Sequence, residues 1–124
     1  MRFATRAVHV GNEPDDATGA VAPPIYLAST YAQAGVGKTK GYEYSRSQNP
    51  TRERLERAVA SLEGAKYGLA FSSGMAAISN VTGLLKKGDN VVICNDVYGG
   101  THRLFNKVLR NYGITFSRED ATDD

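Results

Sequence analysis

Apolar positions fall into two regimes along the chain. Through the first forty-odd residues, Gly11, Gly19, Pro23, Pro24, Gly35, Gly37 and Gly41 break every run, and no helical or strand period is sustained. Only residues 25–31 have the make-up of a short strand. A structureless stretch of this length is uncommon inside a compact domain, so residues 1–48 are expected to form an extended arm lying against a neighbouring subunit. From Asn49 the pattern becomes regular. Asn49 suits an N-cap and Pro50 a first helical position, because proline lacks only an N–H that the first turn leaves unpaired anyway. Leu55, Ala58, Val59 and Leu62 then recur at helical spacing until Gly64, and residues 67–71 read as a short buried strand. After Ser72-Ser73-Gly74, Ala77, Ile78, Val81, Leu84 and Leu85 share one helical face, closed by Gly88. Residues 91–94 form the next strand. Thr101 is placed to cap a third helix carrying Leu104, Phe105, Val108, Leu109 and Tyr112, stopped by Gly113, and residues 114–117 begin another strand.

Strands alternating with helices across short loops predict an α/β fold, with a mostly parallel sheet and helices on both faces. Residues 49–124 are read as the first, incomplete part of that domain. The sequence ends at Asp120-Ala121-Thr122-Asp123-Asp124, where the repeating pattern calls for a further helix, and it is therefore read as a fragment of a longer protein.

Composition narrows the class. The 124 residues carry 15 Lys+Arg against 13 Asp+Glu, and a net charge of +2 without a basic run gives no grounds for a nucleic-acid or anionic-membrane partner. No stretch approaches the roughly 20 apolar residues of a membrane helix, and the N-terminus lacks the apolar core of a secretory signal. A single cysteine forms no internal disulfide, so the reducing cytoplasm is the expected compartment. No Cys/His cluster has metal-ligand spacing.

Candidate chemistry gathers in three places. Ser72-Ser73-Gly74-Met75-Ala76-Ala77 stands where a strand passes into a helix, at the sheet edge where open α/β folds bind ligands. Free N–H groups and the positive helix end favour an anion there, although a tight turn with small residues for packing has the same composition. Asp96-Val97-Tyr98-Gly99-Gly100-Thr101-His102-Arg103 follows the next strand on the same edge. Tyr98 can lay its ring on a planar ligand, and Arg103 can meet a carboxylate; a packed tyrosine and a solvated arginine are the bland alternatives. In the Tyr42-to-Arg52 segment, Arg46 and Tyr44 have the donors to bind a phosphate, but solvated polar residues ahead of a helix would look alike. Arg52, Glu53, Glu56 and Arg57 read as an exposed helix face with Glu53 and Arg57 paired. Gly35-Val36-Gly37-Lys38-Thr39 is not read as a phosphate-binding P-loop, since Ala32 stands where its leading glycine is required.

Taken together, Tyr44-Ser45-Arg46-Ser47-x-Asn49-Pro50-Thr51-Arg52, Leu55-Glu56, Leu62-Glu63-Gly64-Ala65, Ser73-Gly74-Met75-Ala76-Ala77, Gly88-Asp89 and Asp96-Val97-Tyr98-Gly99-Gly100-Thr101 resemble, in order and spacing, the Cys/Met-metabolism enzymes that use pyridoxal phosphate, in particular their cystathionine gamma-lyase and gamma-synthase branch. The resemblance spans nearly the whole chain. It implies the start of the large cofactor-binding domain of an aspartate-aminotransferase-like (type I) fold, in a homo-oligomer of tight dimers that share active sites, usually a homotetramer, acting on an amino acid such as cystathionine. By residue, it implies that Gly74 and Met75 bind the cofactor phosphate through backbone N–H groups and that Tyr98 stacks on the ring as the catalytic residue of this stretch. It further implies that Tyr44 and Arg46 reach the phosphate of the neighbouring subunit, and that Arg46, Tyr98 and Arg103 face the substrate. Gln48 stands where the family commonly has Gly, and Gly100 where methionine gamma-lyases carry a reactive Cys.

The family's cofactor lysine lies in a Ser-x-Thr-Lys setting, and none of Lys38, Lys40, Lys66, Lys86, Lys87 or Lys107 has it. The chain by itself is therefore expected to be inactive. Gamma-elimination from cystathionine is the leading expectation and gamma-replacement on an activated homoserine the runner-up. A noncatalytic oligomerisation or phosphate-binding module is the rival from another class.

Overall fold

The computed structural model describes residues 1–122, so Asp123 and Asp124, on which part of the fragment reading rested, lie outside it. The chain forms two compact units, Met1–Ala70 and Phe71–Asp124.

In the first unit the arm is more ordered than its glycine-broken sequence predicts. It opens with a helix, α1 (Phe3–His9), which the pattern gave no sign of because its N-terminal residue Arg2 makes no side-chain cap and none of its residues is buried. The second helix, α2 (Pro50–Leu62), begins as expected: the Asn49 side chain accepts from the Thr51 and Arg52 amides at 2.9 and 3.4 Å. Its polar face does the stitching. Arg6 of α1 donates to the Ser61 carbonyl, and Arg54 donates to the carbonyls of Gly11 and Glu13, both at 3.1 Å. The ion pairs also differ from the expected Glu53–Arg57. Arg52 pairs with Glu56 at 3.3 Å and Arg57 with Glu13 at 2.7 Å, leaving Glu53 to accept from the Tyr42 hydroxyl.

Two predicted strands are absent. Residues 25–31 make only a bridge, Thr30 to Tyr44, because the Tyr26 amide and carbonyl are taken by Thr51 and Asn49 side chains. Residues 67–71 pair with no strand among the described residues, and Tyr67 and Leu69 are exposed instead of buried. A strand needs a neighbour to take its N–H and C=O groups. Here the Ala70 amide goes to the Glu56 carboxylate at 3.0 Å, and Gly68 runs so close to α2 that a Cβ would come 2.4 Å from the Glu56 carbonyl. The α2 face expected inside is also partly out: Leu55 and Val59 are exposed, and the buried residue is Ala60.

The second unit holds α3 (Gly74–Thr82), β1 (Asn90–Cys94), α4 (Gly99–Arg103) and β2 (Thr115–Glu119). The strands pair in parallel with Val91 opposite Phe116 and Ile93 opposite Arg118, which gives the expected α/β arrangement. Phe105, Leu109 and Ile114 form the core, with Leu85, Val91, Ile93, Leu104 and Phe116 packed on it.

Two helices depart from their predicted extents. α3 stops at Thr82, capped by Gly83, well before Gly88, and Val81 and Leu84 are exposed. The third predicted helix starts at Gly99 without a side-chain cap, so Thr101 lies inside it, and after Arg103 it widens into a π turn over Leu104–Val108 and tightens into a 3-10 turn over Leu109–Tyr112. The wider turn rotates the register, which keeps Phe105 and Leu109 inward but turns Val108 and Tyr112 to solvent. Gly113, at φ 76°, ends the run as expected. No helix among the described residues is long and apolar enough to cross a membrane.

Candidate functional site

The predicted site residues divide between the two units. Gly74, Met75, Tyr98 and Arg103 belong to the second, Tyr44 and Arg46 to the first.

Ser73 ends its extended segment by capping α3, its hydroxyl accepting from the Ala76 amide at 3.1 Å. Gly74 and Met75 are thus the first two helical residues, whose N–H groups have no carbonyl a turn earlier to reach. Nothing lies within 4 Å of where a Gly74 Cβ would stand, so this end of the helix is open to close approach. Tyr98 stands at the start of α4 and is 71% exposed. The two segments meet at Gly100. A Cβ there would fall 2.6 Å from the Tyr98 ring and 3.0 Å from Met75 Sδ, so glycine is what lets both side chains share that space. Buried Thr101 completes the contact by donating its hydroxyl to Met75 Sδ at 3.7 Å. Arg103 bends back over the first turn of α4, its Nη1 3.7 Å from the Gly99 Cβ position. Beside it, His102 Nε2 faces the Asn106 amide and the Arg118 guanidinium, and its ring meets Phe116 edge-on.

In the first unit the Arg46 guanidinium lies over the Tyr44 ring, 5.0 Å from its centroid. The turn beneath them is closed by the Ser47 and Gln48 amides, both 3.0 Å from the Tyr44 carbonyl. Gln48 has no positive φ, so a side chain fits where the family commonly has glycine. Sequence reasoning missed Arg52 here. Its guanidinium donates to the carbonyls of Ser45, Arg46 and Ser47, and backbone acceptors leave no trace in a residue pattern. Thr101, read as a cap, was likewise missed as a link to Met75, and only the adjoining Gly99-Gly100 pair hinted at a close approach.

The first unit also contains a cleft of about 360 Å³ lined by Tyr26, Tyr31, Lys40, Tyr42, Glu53 and Arg54 among others, none of them a predicted site residue. Within it the hydrogen bond to Glu53, aided by burial and by the Glu53 charge, pushes the Tyr42 hydroxyl up to about 12.

Residues 4–124 match the sequence profile of a family described as Cys/Met metabolism PLP-dependent enzyme. A probable cystathionine gamma-synthase from Herpetosiphon aurantiacus is 52% identical over 121 residues, 98% of this chain and 38% of that protein. A cystathionine beta-lyase from Coxiella burnetii is 56% identical over 121 residues, 97% of this chain and 31% of that protein. The crystal structure of a cystathionine gamma-lyase from Lactobacillus plantarum complexed with L-serine superposes with a TM-score of 0.89 at 47% identity, covering 99% of this chain and 32% of that one. The chain thus spans about a third of the length of the relatives it matches.

Proposed function

The chain belongs to the Cys/Met-metabolism PLP-dependent enzymes, and we propose that it forms the cofactor-phosphate and ring-stacking part of a cystathionine gamma-lyase. That activity converts cystathionine and water to cysteine, 2-oxobutanoate and ammonia. The observation that carries the reading is the junction of Gly74, Met75, Tyr98 and Gly100. An open helix start with two free amides adjoins an exposed aromatic ring, which matches a ligand that is anionic at one end and flat at the other. When bound, pyridoxal phosphate supplies an electron-withdrawing ring that accepts the charge left when a proton leaves the substrate α-carbon. The chain's own residues hold and orient. Gly74 and Met75 donate to the phosphate, Tyr98 covers one face of the ring, and Arg103 presents a cation to the substrate carboxylate. Gly100 stands where methionine gamma-lyases carry a reactive Cys, which argues against that activity.

In this reading the arm, residues 1–48, carries Tyr44 and Arg46 to the phosphate of a neighbouring subunit in a cytoplasmic homotetramer, while residues 49–124 open the cofactor domain. The chain alone does not turn over substrate, for want of the cofactor lysine. Gamma-synthase activity is the second reading, favoured by the identity to the Herpetosiphon protein. One experiment separates the two: the full-length protein is given cystathionine, and separately an activated homoserine ester with cysteine, and products are followed by mass spectrometry. Cysteine with 2-oxobutanoate from the first mixture is the expected result. Cystathionine from the second, with little from the first, establishes the synthase, and homocysteine with pyruvate would establish beta-elimination instead.

A further inference from the structure

Resting on that cofactor reading, we propose that Arg52 is a positioning residue that shapes residues 44–47 into a phosphate-binding turn without itself touching the ligand. Three successive carbonyls, of Ser45, Arg46 and Ser47, converge on its guanidinium at 3.0, 3.4 and 2.6 Å. Carbonyl dipoles aimed at one point repel each other, and a cation at that point offsets the repulsion. The fourth engaged N–H, at Nε, lies 3.3 Å from the Glu56 carboxylate, which fixes the plane of the fork. Both side chains are sheltered, Arg52 at 31% and Glu56 at 18% exposure, so this is more than a solvated ion pair on a helix face.

Asn49 grips the same turn from α2, donating to Ser45 Oγ at 3.0 Å while its oxygen caps the helix. The backbone that carries Tyr44 and Arg46 is thereby tied to the first turn of α2, and the Arg46 guanidinium starts from a fixed base beside the Tyr44 ring. With its fork committed to carbonyls and carboxylate, Arg52 acts on a phosphate only through Arg46 and Tyr44. Lysine keeps the charge but is a single point on a flexible stem, and it cannot span three carbonyls.

The test uses the full-length protein. In its cofactor-free form, hydrogen exchange at the Ser47 and Gln48 amides should quicken about tenfold in Arg52→Gln, while α3 amides stay unchanged. Pyridoxal phosphate should bind about tenfold more weakly to Arg52→Gln, whereas pyridoxal, which lacks the phosphate, should bind as to the wild type. Arg52→Lys, with the charge retained, should show the same phosphate-specific loss, and it keeps the test open if the glutamine variant does not fold. In an Arg46→Ala background, Arg52→Gln should cause little further loss, since the two act as one unit. Unchanged exchange overturns the clamp. Equal losses for both ligands, or additive losses with Arg46→Ala, overturn the positioning role. If the wild type binds neither ligand, the cofactor reading fails, and the exchange measurement still decides whether the clamp exists.

Discussion

Replacing Gly100 by alanine in the full-length protein sets two opposing effects against each other. Gly100 has an ordinary negative φ inside α4, so alanine gains up to about 1 kcal/mol of helix preference and backbone entropy. Its methyl group, however, would stand 2.6 Å from the Tyr98 ring and 3.0 Å from Met75 Sδ. If the ring held its place, overpacking would cost about 1–3 kcal/mol and the variant would be less stable. Tyr98 is 71% exposed, so moving its ring aside gives up little packing, and this is the outcome we predict. Thermal unfolding should then be unchanged or slightly raised. Cofactor affinity should fall, because a displaced ring forfeits a stacking contact of about 0.5–1.5 kcal/mol, or roughly two- to twelvefold in Kd. Gly99→Ala is the control, since its Cβ meets only Arg103 Nη1 at an ordinary 3.7 Å. Titration of the apo-protein with pyridoxal phosphate, alongside melting curves for both variants, reads the two effects separately. Wild-type affinity in Gly100→Ala, or equal losses in both variants, would refute the idea that Gly100 sets the ring.

Gly11→Ala should lower the stability to urea by at least about 2 kcal/mol, because a side chain at φ 81° is strained and its Cβ would lie 2.3 Å from the Arg54 carbonyl. Gly19→Ala, at φ 72° with nothing within 4 Å, should lose only the backbone part, and equal losses in the two would disprove the steric account. In a spectrophotometric titration one tyrosine should ionise near pH 12, and Glu53→Gln should bring it back toward about 10. Since the folded value is raised, any stability from the Tyr42–Glu53 bond is intact below about pH 10 and lost as the pH climbs toward 12, so a Glu53→Gln effect that grows with alkali would contradict it. For the shared site, Arg46→Ala and Tyr98→Ala chains refolded as an equal mixture should pair at random, with about half the dimers mixed and one intact site in each, which recovers about a quarter of wild-type activity. Hybrids that form but stay inactive would place both residues in one site of one chain.

How much of this was legible depended on where each side chain finds its partner. Asn49 and Pro50 announced the start of α2 because capping is settled within four residues, β1 was readable from the apolar run Val91-Val92-Ile93-Cys94, and β2 from the alternation Ile114-Thr115-Phe116-Ser117 after Gly113. α1 was not, since a seven-residue helix with no cap and no buried face leaves no pattern to read. Residues 67–71 carry a strand's composition, but composition does not reveal whether a neighbouring strand is there to pair with them, and α2 takes the Ala70 amide instead. The π turn after Arg103 was hidden for a related reason: apolar spacing at Leu104, Phe105, Val108 and Leu109 suits an unbroken α-helix equally well. In the candidate site, Gly74, Met75 and Tyr98 stood out because small residues after a strand and an aromatic before two glycines are local signals. The roles of Arg52 and Thr101 depend on backbone carbonyls and on a thioether 26 residues away.

The residues that set the local geometry in each unit are therefore not the predicted ligand-binding ones. Gly100 acts by lacking a side chain, Thr101 by holding Met75, and Arg52 by gathering carbonyls beneath Arg46. Each constrains where a neighbouring donor or ring stands. This agrees with the similarity of the chain, at 52%, 56% and 47% identity, to proteins named for three different reactions. Binding the same cofactor is a need that all three reactions have in common, so a stretch of sequence can be shared among them while the outcome differs. Choice between elimination and replacement requires groups that admit or exclude a second substrate and move protons at its β- and γ-carbons.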